Sequence, residues 1–299
     1  MFKHILLPLD GSKLAEAALP PAISLAQTLG SPVTLLHLVE KDAPQAVHGH
    51  RHLRQADEAE AYLQHLAHTA FPEGIKVEWH VHTTEIENVA SSIVQHAEEI
   101  EPDLIVMCSH GGGGMRDALF GNIAQQVIGQ CDVPLLLLKP ADAPAPPFHI
   151  RKIFLPLDDE SIHDESLSIA MPLAKAYNAA LYLLTVIPTL GTLSDREAAA
   201  GTLLPATASA YLDIKEENAK EHLQEHLDEL CHGGYDAEAE IARGDPVAVI
   251  SETAERVSAD LMILSTHRRS GTAAFWARSV APSVARRVQM PLLLVPMEG

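Results

Sequence analysis

The sequence predicts an α/β protein made of two copies of one doubly wound domain, each a five-stranded parallel sheet flanked by helices. Three observations carry that prediction. The stretch Asp103-Leu-Ile-Val-Met-Cys-Ser-His-Gly-Gly-Gly-Gly-Met-Arg-Asp-Ala-Leu-Phe-Gly-Asn122 returns as Asp260-Leu-Met-Ile-Leu-Ser-Thr-His-Arg-Arg-Ser-Gly-Thr-Ala-Ala-Phe-Trp-Ala-Arg-Ser279, its apolar run kept and its glycines replaced. In both halves, short apolar runs alternate with helical patterns in the same order, the signature of parallel crossovers. Between them, Pro140-Ala-Asp-Ala-Pro-Ala-Pro-Pro147 cannot continue a helix or a central strand and reads as a stiff linker. The expected division is 1–140, a linker at 141–149, and 150–299.

The first strands, Lys3–Asp10 and Lys152–Asp158, are apolar runs that stop at Pro-Leu-Asp, as buried strands do. Helical patterns follow at Leu14–Leu29 and Leu167–Tyr177. The second strands are Val33–Val39 and Leu181–Ile187. Charged helical stretches near 54–70 and 214–230 lead to strands Lys76–His82 and Ala237–Ile241, then to helices at 87–100 and 245–257. The fourth strands carry the repeated block, and each copy closes with a helix and an apolar strand, Val133–Leu138 or Met290–Val295. Exposed apolar edges invite association. The two final strands, Pro134–Leu138 and Pro291–Val295, are therefore expected to pair as neighbours and make the chain an internal pseudo-dimer.

Composition narrows the function. A chain of 299 residues with 47% hydrophobic and 20% charged side chains can bury two ordinary cores. The formal charge of −19 opposes extended contact with nucleic-acid phosphates or an anionic membrane, so neither is an expected partner. Cys108, Cys131 and Cys231 are odd in number and have no paired ligand spacing, which fits a reducing compartment. The amino terminus has no long apolar run followed by a small-residue cleavage site. A cytoplasmic protein is expected.

The repeated block is where chemistry is expected. A glycine-rich turn between a buried strand and a helix lets backbone amides close around a phosphate. Gly111 and Gly121 carry no Cβ, so the chain there can take positive φ and approach an anion closely. Asn122, at the start of the next helix, can cap it and donate an amide hydrogen bond. Without a ligand, the loop is simply a flexible connection.

Cys108-Ser-His110-Gly111, nine residues, then Gly121-Asn122 resembles the Gly-x-x-Gly, nine residues, Gly-Ser/Thr motif that nucleotide-binding universal stress proteins carry after strand four. Both halves resemble domains of that family, about residues 2–139 and 150–296, and the fold it implies is the universal stress protein, adenine nucleotide alpha hydrolase-like sheet. Two of the three glycines stand in register here. Cys108 takes the place of the first and Asn122 that of the hydroxyl residue. The resemblance also assigns the base pocket to Pro8, Leu9, Asp10 and Leu38, with His110 beside the loop. Asp10 could equally cap the helix that follows it.

In the second copy, Ser265-Thr-His-Arg268, nine residues, Arg278-Ser279 has lost all three glycines. The base-side positions Pro156, Leu157, Asp158 and Val186 remain. Arg268 and Arg278 would fill the space or offer guanidinium forks to another anion. This copy reads as a degenerate site.

The resemblance thus implies a stress-response protein that binds ATP or a related adenine nucleotide, with Mg²⁺ or Mn²⁺ on the phosphates, chiefly in the first half and as a regulatory state. A homodimer through the final strands is a further assembly that the family uses. The absence of Gly-Lys-Ser/Thr and of a nucleophile elbow speaks against efficient hydrolysis, while slow turnover or autophosphorylation stays open. The alternative is a nucleotide-independent scaffold in which region 188–215 recruits a protein or an anionic ligand. His48, His50 and His52 alternate in a polar segment and could chelate a transition metal or merely be solvated. His80 and His82 share a strand face by period two.

Overall fold

The computed structural model describes residues 1–41, 46–47, 50–51, 53–109, 122–139, 148–158, 165–193, 199, 202–267 and 280–297. Its strands in chain order are β1 (Ile5–Pro8), β2 (Val33–Glu40), β3 (Ala46–Val47), β4 (His50–Arg51), β5 (Val77–Ile86), β6 (Leu104–Cys108), β7 (Leu135–Leu138), β8 (Lys152–Leu157), β9 (Ala180–Ile187), β10 (Ala237–Arg243), β11 (Leu261–His267) and β12 (Leu292–Met297). Helices alternate with them, giving the expected α/β fold with a parallel-dominated sheet. Among the described residues, no helix is long and apolar enough to cross a membrane.

Two compact units emerge: Met1–His149 with Thr266–Ser279 and Pro291–Gly299, and Ile150–Ser265 with Val280–Met290. In the first, the strand order is β12-β7-β6-β1-β2-β5. The strands β1, β2, β5, β6 and β7 run parallel, and β12 lies antiparallel on β7, Leu292 opposite Leu137, Leu293 opposite Leu136 and Leu294 opposite Leu135. The grouping does not follow the repeat, since β12 comes from the second copy yet pairs with β7 of the first. Every residue of β6 and β7 is buried, which explains their unbroken apolar runs. β5 is the last strand on the other side and is only half-buried along its length.

In the second unit the order is β10-β9-β8-β11, all parallel. A helix of 28 residues, Pro205–His232, covers this sheet through Leu212 and Ala219, which pack with Ile187. It is far longer than the charged pattern at 214–230 suggested. Pro205 at its first turn sets the start, where a missing N–H costs nothing.

The helical pattern at Leu14–Leu29 is two helices, Lys13–Glu16 and Leu19–Leu29. Pro20 and Pro21 cannot donate to the preceding turn, so a new helix has to begin around them, and it ends at Gly30 in the left-handed region.

The repeated aspartates anchor the amino ends of the central strands. Asp103 accepts from the backbone N–H of Lys3 at 2.7 Å and of His4 at 2.9 Å. Asp260 does the same for Arg151 and Lys152, both at 2.9 Å.

Candidate functional site

β1 lies between β2 and β6, so strand order reverses there, the place where open α/β sheets form their binding crevices. Ile5 faces Leu104 and Leu6 faces Ile105; the same offset carried onward sets Leu9 beside Cys108. Pro8, Leu9, Asp10, Leu38 and Cys108 therefore gather at one end of the sheet, the end from which the chain leaves β6 toward Gly111 and Gly121. His110, Gly111 and Gly121 lie outside the described residues. Asn122 is the first residue of the helix Asn122–Gln130, and its side chain also lies outside them.

The turn after β1 is tightly specified. The Leu9 N–H donates to the Leu36 carbonyl at 2.8 Å, and the buried His37 ring donates through Nδ1 to the Leu9 carbonyl at 2.8 Å. Asp10 Oδ1 accepts from the Ser12 N–H at 2.8 Å, closing an Asx turn. The helix cap is Ser12, whose hydroxyl accepts from the Ala15 N–H at 3.1 Å. Asp10 shapes the turn while Ser12 caps. Gly11 sits at φ +86°, and a Cβ there would come within 2.5 Å of the Leu53 side chain, so glycine is required on both counts. Tyr62 donates to Glu16 Oε1 at 3.2 Å; burial, then Glu16 and then Asp10, push its hydroxyl pKa upward.

Cys108 is buried with its Sγ 3.9 Å from the Ala15 carbonyl, and burial, followed by the charge of Asp10, pushes its thiol up to about 12. A thiolate is the reactive form. Cys108 is therefore held as the unreactive thiol. Cys131 is buried as well, whereas Cys231 is exposed. One fast-reacting thiol per native chain is expected in a maleimide or disulfide-exchange assay at pH 8, and three after denaturation. Native labelling of Cys108 as fast as Cys231 would contradict this packing.

In the second unit, Leu157 is buried and Asp158 exposed at the end of β8, Val186 is half-buried in β9, and Ser265 is half-buried in β11. Arg268, Arg278 and Ser279 lie outside the described residues. Leu157, Asp158 and Thr185 face Ala219, His222, Leu223 and His226 of the long helix across a void of about 10 Å³. That is roughly the room one water needs. The base-side residues are retained, and the long helix packs beside them. Turns before the third helices do one job with different residues: Asn88 accepts from the Ser91 N–H at 3.0 Å and Asp245 from the Ala248 N–H at 2.8 Å.

Of the histidines read as metal candidates, His48 and His52 lie outside the described residues, and of His50 only the backbone, in β4, is described. A different group does converge: His80 and His82 meet His96 from the helix Val89–Ile100. Period two announces the first pair. The third member needs the helix to fold back on β5.

The model of the universal stress protein family matches residues 1–139 and 149–296, and the chain belongs to that family. It is 30% identical to Universal stress protein MJ0531 of Methanocaldococcus jannaschii, over 46% of this chain and 83% of that protein. It is 34% identical to Universal stress protein Sll1654 of Synechocystis, over 46% of this chain and 86% of that one. Among solved structures, a universal stress protein from Archaeoglobus fulgidus superposes with a TM-score of 0.71 at 16% identity, covering 98% of this chain and 96% of that one. The functionally unknown protein PA1789 of Pseudomonas aeruginosa does so at 0.68 and 18%, covering 99% and 92%.

Proposed function

We propose that this member of the universal stress protein family binds ATP or a related adenine nucleotide at the carboxyl ends of β1, β2 and β6, as a regulatory state in the stress response. The observation that carries the reading is the pairing of β1 with β6, because it sets the Asp10 turn beside the strand that leads to Gly111 and Gly121. Leu9 and Leu38 supply an apolar wall for a base, and the Asp10 carboxylate can accept from a base or ribose group while one of its oxygens holds the turn. The Gly111–Asn122 segment would take the phosphates on backbone amides at the start of a nine-residue helix. Mg²⁺ or Mn²⁺ would ride on the phosphate oxygens, and the oxygen chemistry of a polyphosphate beside a carboxylate suits a hard cation. When bound, such a cation neutralises phosphate charge.

The replacement of the loop glycines by Arg268 and Arg278 in the second copy supports one nucleotide per chain. Extraction of nucleotide from gently purified protein, with mass identification, followed by calorimetric titration of ATP–Mg²⁺, tests both parts. The expected stoichiometry is near one. Protein that comes out empty and shows no ATP affinity would defeat the reading, and two equal sites would defeat the asymmetry.

A scaffold reading draws on one observation: Leu203, Leu204, Tyr211 and Ile214 are all exposed where the long helix begins. Exposed apolar groups in such a cluster suit a protein partner. In the calorimetric experiment, this reading gains only if no nucleotide binds.

A further inference from the structure

We propose that His80, His82 and His96 form a site for a divalent transition-metal cation of the zinc class, independent of the nucleotide. Each ring offers one nitrogen, and the three lie within 4.8 Å of one another. His80 and His82 stand two apart on β5, beside Leu36 and Leu38 of β2, and so project to one face of the sheet. The intervening face belongs to Trp79, whose Nε1 donates to Glu60 at 2.6 Å on the helix Ala56–Thr69. The helix Val89–Ile100 brings in His96, which is buried where the other two are not. Ring centroids lie 5.2 Å apart for His80 and His96 and 5.0 Å apart for His82 and His96.

The buried ring is already set up as a ligand. Its Nδ1 lies 2.7 Å from the Ser92 carbonyl, an acceptor only, so Nδ1 must carry the proton and Nε2 must present a lone pair. A backbone carbonyl holding the far nitrogen is the arrangement that orients metal-bound histidines and raises their basicity.

Imidazole nitrogen suits zinc, copper and nickel. A tetrahedral zinc ion at about 2.05 Å from each nitrogen draws the nitrogens to about 3.4 Å apart. His80 is exposed and His82 half-buried, so their side chains can rotate inward by that amount while His96 stays fixed. Three protein ligands leave a fourth position for water on the open side of β5.

The test uses the full chain, stripped with chelator and free of nucleotide, titrated with Co²⁺ while visible absorption is followed, and then with Zn²⁺ in competition. One equivalent with the visible bands of a four- or five-coordinate ion is expected. His80→Gln and His82→Gln, on a solvent-facing strand, should each weaken binding at least about tenfold. His96→Gln should do so as well; if that buried change loosens the fold by circular dichroism, the two strand variants decide. A triple variant of His48, His50 and His52 to Gln should bind as wild type does. The proposal is overturned if wild type binds no more tightly than His80→Gln or His82→Gln, or if the triple variant is the one that loses the metal. ATP is absent throughout, so failure here leaves the nucleotide reading untouched.

Discussion

Replacing Gly121 by arginine is expected to abolish ATP binding and leave the fold intact. Gly121 immediately precedes the helix Asn122–Gln130, whose first amides have no partner within the helix and carry the positive end of its dipole. In the proposed complex the phosphates sit against those amides, and only a residue without Cβ lets them approach. An arginine would project a long side chain into that space. The second copy has already made this change, with Arg278 in the same register. Calorimetric titration of ATP–Mg²⁺ into wild type and Gly121→Arg measures the effect, and a loss of at least about a hundredfold is expected, which corresponds to roughly 2.7 kcal/mol. The far-ultraviolet circular dichroism and thermal midpoint should stay near those of wild type, because connections between elements generally tolerate substitution. Equal affinity in both proteins would remove this loop from the nucleotide account.

The central strands were legible because burial on both faces forces unbroken apolar runs, as in Leu104–Cys108 and Leu135–Leu138. Pro-Leu-Asp marked the end of β1 through its aspartate, which makes the turn. Elements governed by local chemistry at their ends were less readable. A periodic pattern ran straight through Ala17 and Ala18, although Pro20 and Pro21 oblige the helix to restart. The helix Pro205–His232 is largely polar on its surface, so periodicity caught only its most regular part. At the site, the side chains at the ends of β1, β2 and β6 could be assigned by position, and the parallel pairing of β1 with β6 brings them together. Two features depended on tertiary packing and left no mark in the sequence. One is the placement of His222 and His226, residues some 65 positions away along the chain, beside Asp158. The other is the approach of His96 to His80 and His82, which follows from how a helix folds onto a strand rather than from any spacing.

Ending the chain after Gln289, so that β12 is missing, is expected to unfold or aggregate the first unit. Leu292, Leu293, Leu294 and Val295 are each no more than 3% exposed. Burial of an aliphatic side chain of this size contributes about 1.5–3 kcal/mol, so the four together contribute roughly 6–12 kcal/mol before compensating relaxation. That is the size of a whole domain's stability. Deletion also strips β7 of its antiparallel partner along Leu135–Leu137, and the Thr266 hydroxyl of its acceptor, the Val295 carbonyl at 3.2 Å. What remains is an edge strand of four consecutive leucines with unpaired backbone groups, a template for association with another chain. Size-exclusion chromatography with light scattering should find the truncated protein in dimers or larger species, and urea unfolding should begin at markedly lower denaturant. Pairing inside one chain holds the partner strand at high effective concentration, so the intact protein has no need of a second copy to cover this edge. A truncated chain that stays monomeric with the unfolding midpoint of the full-length protein would show that β7 is covered in some other way and that β12 contributes little to the unit it completes.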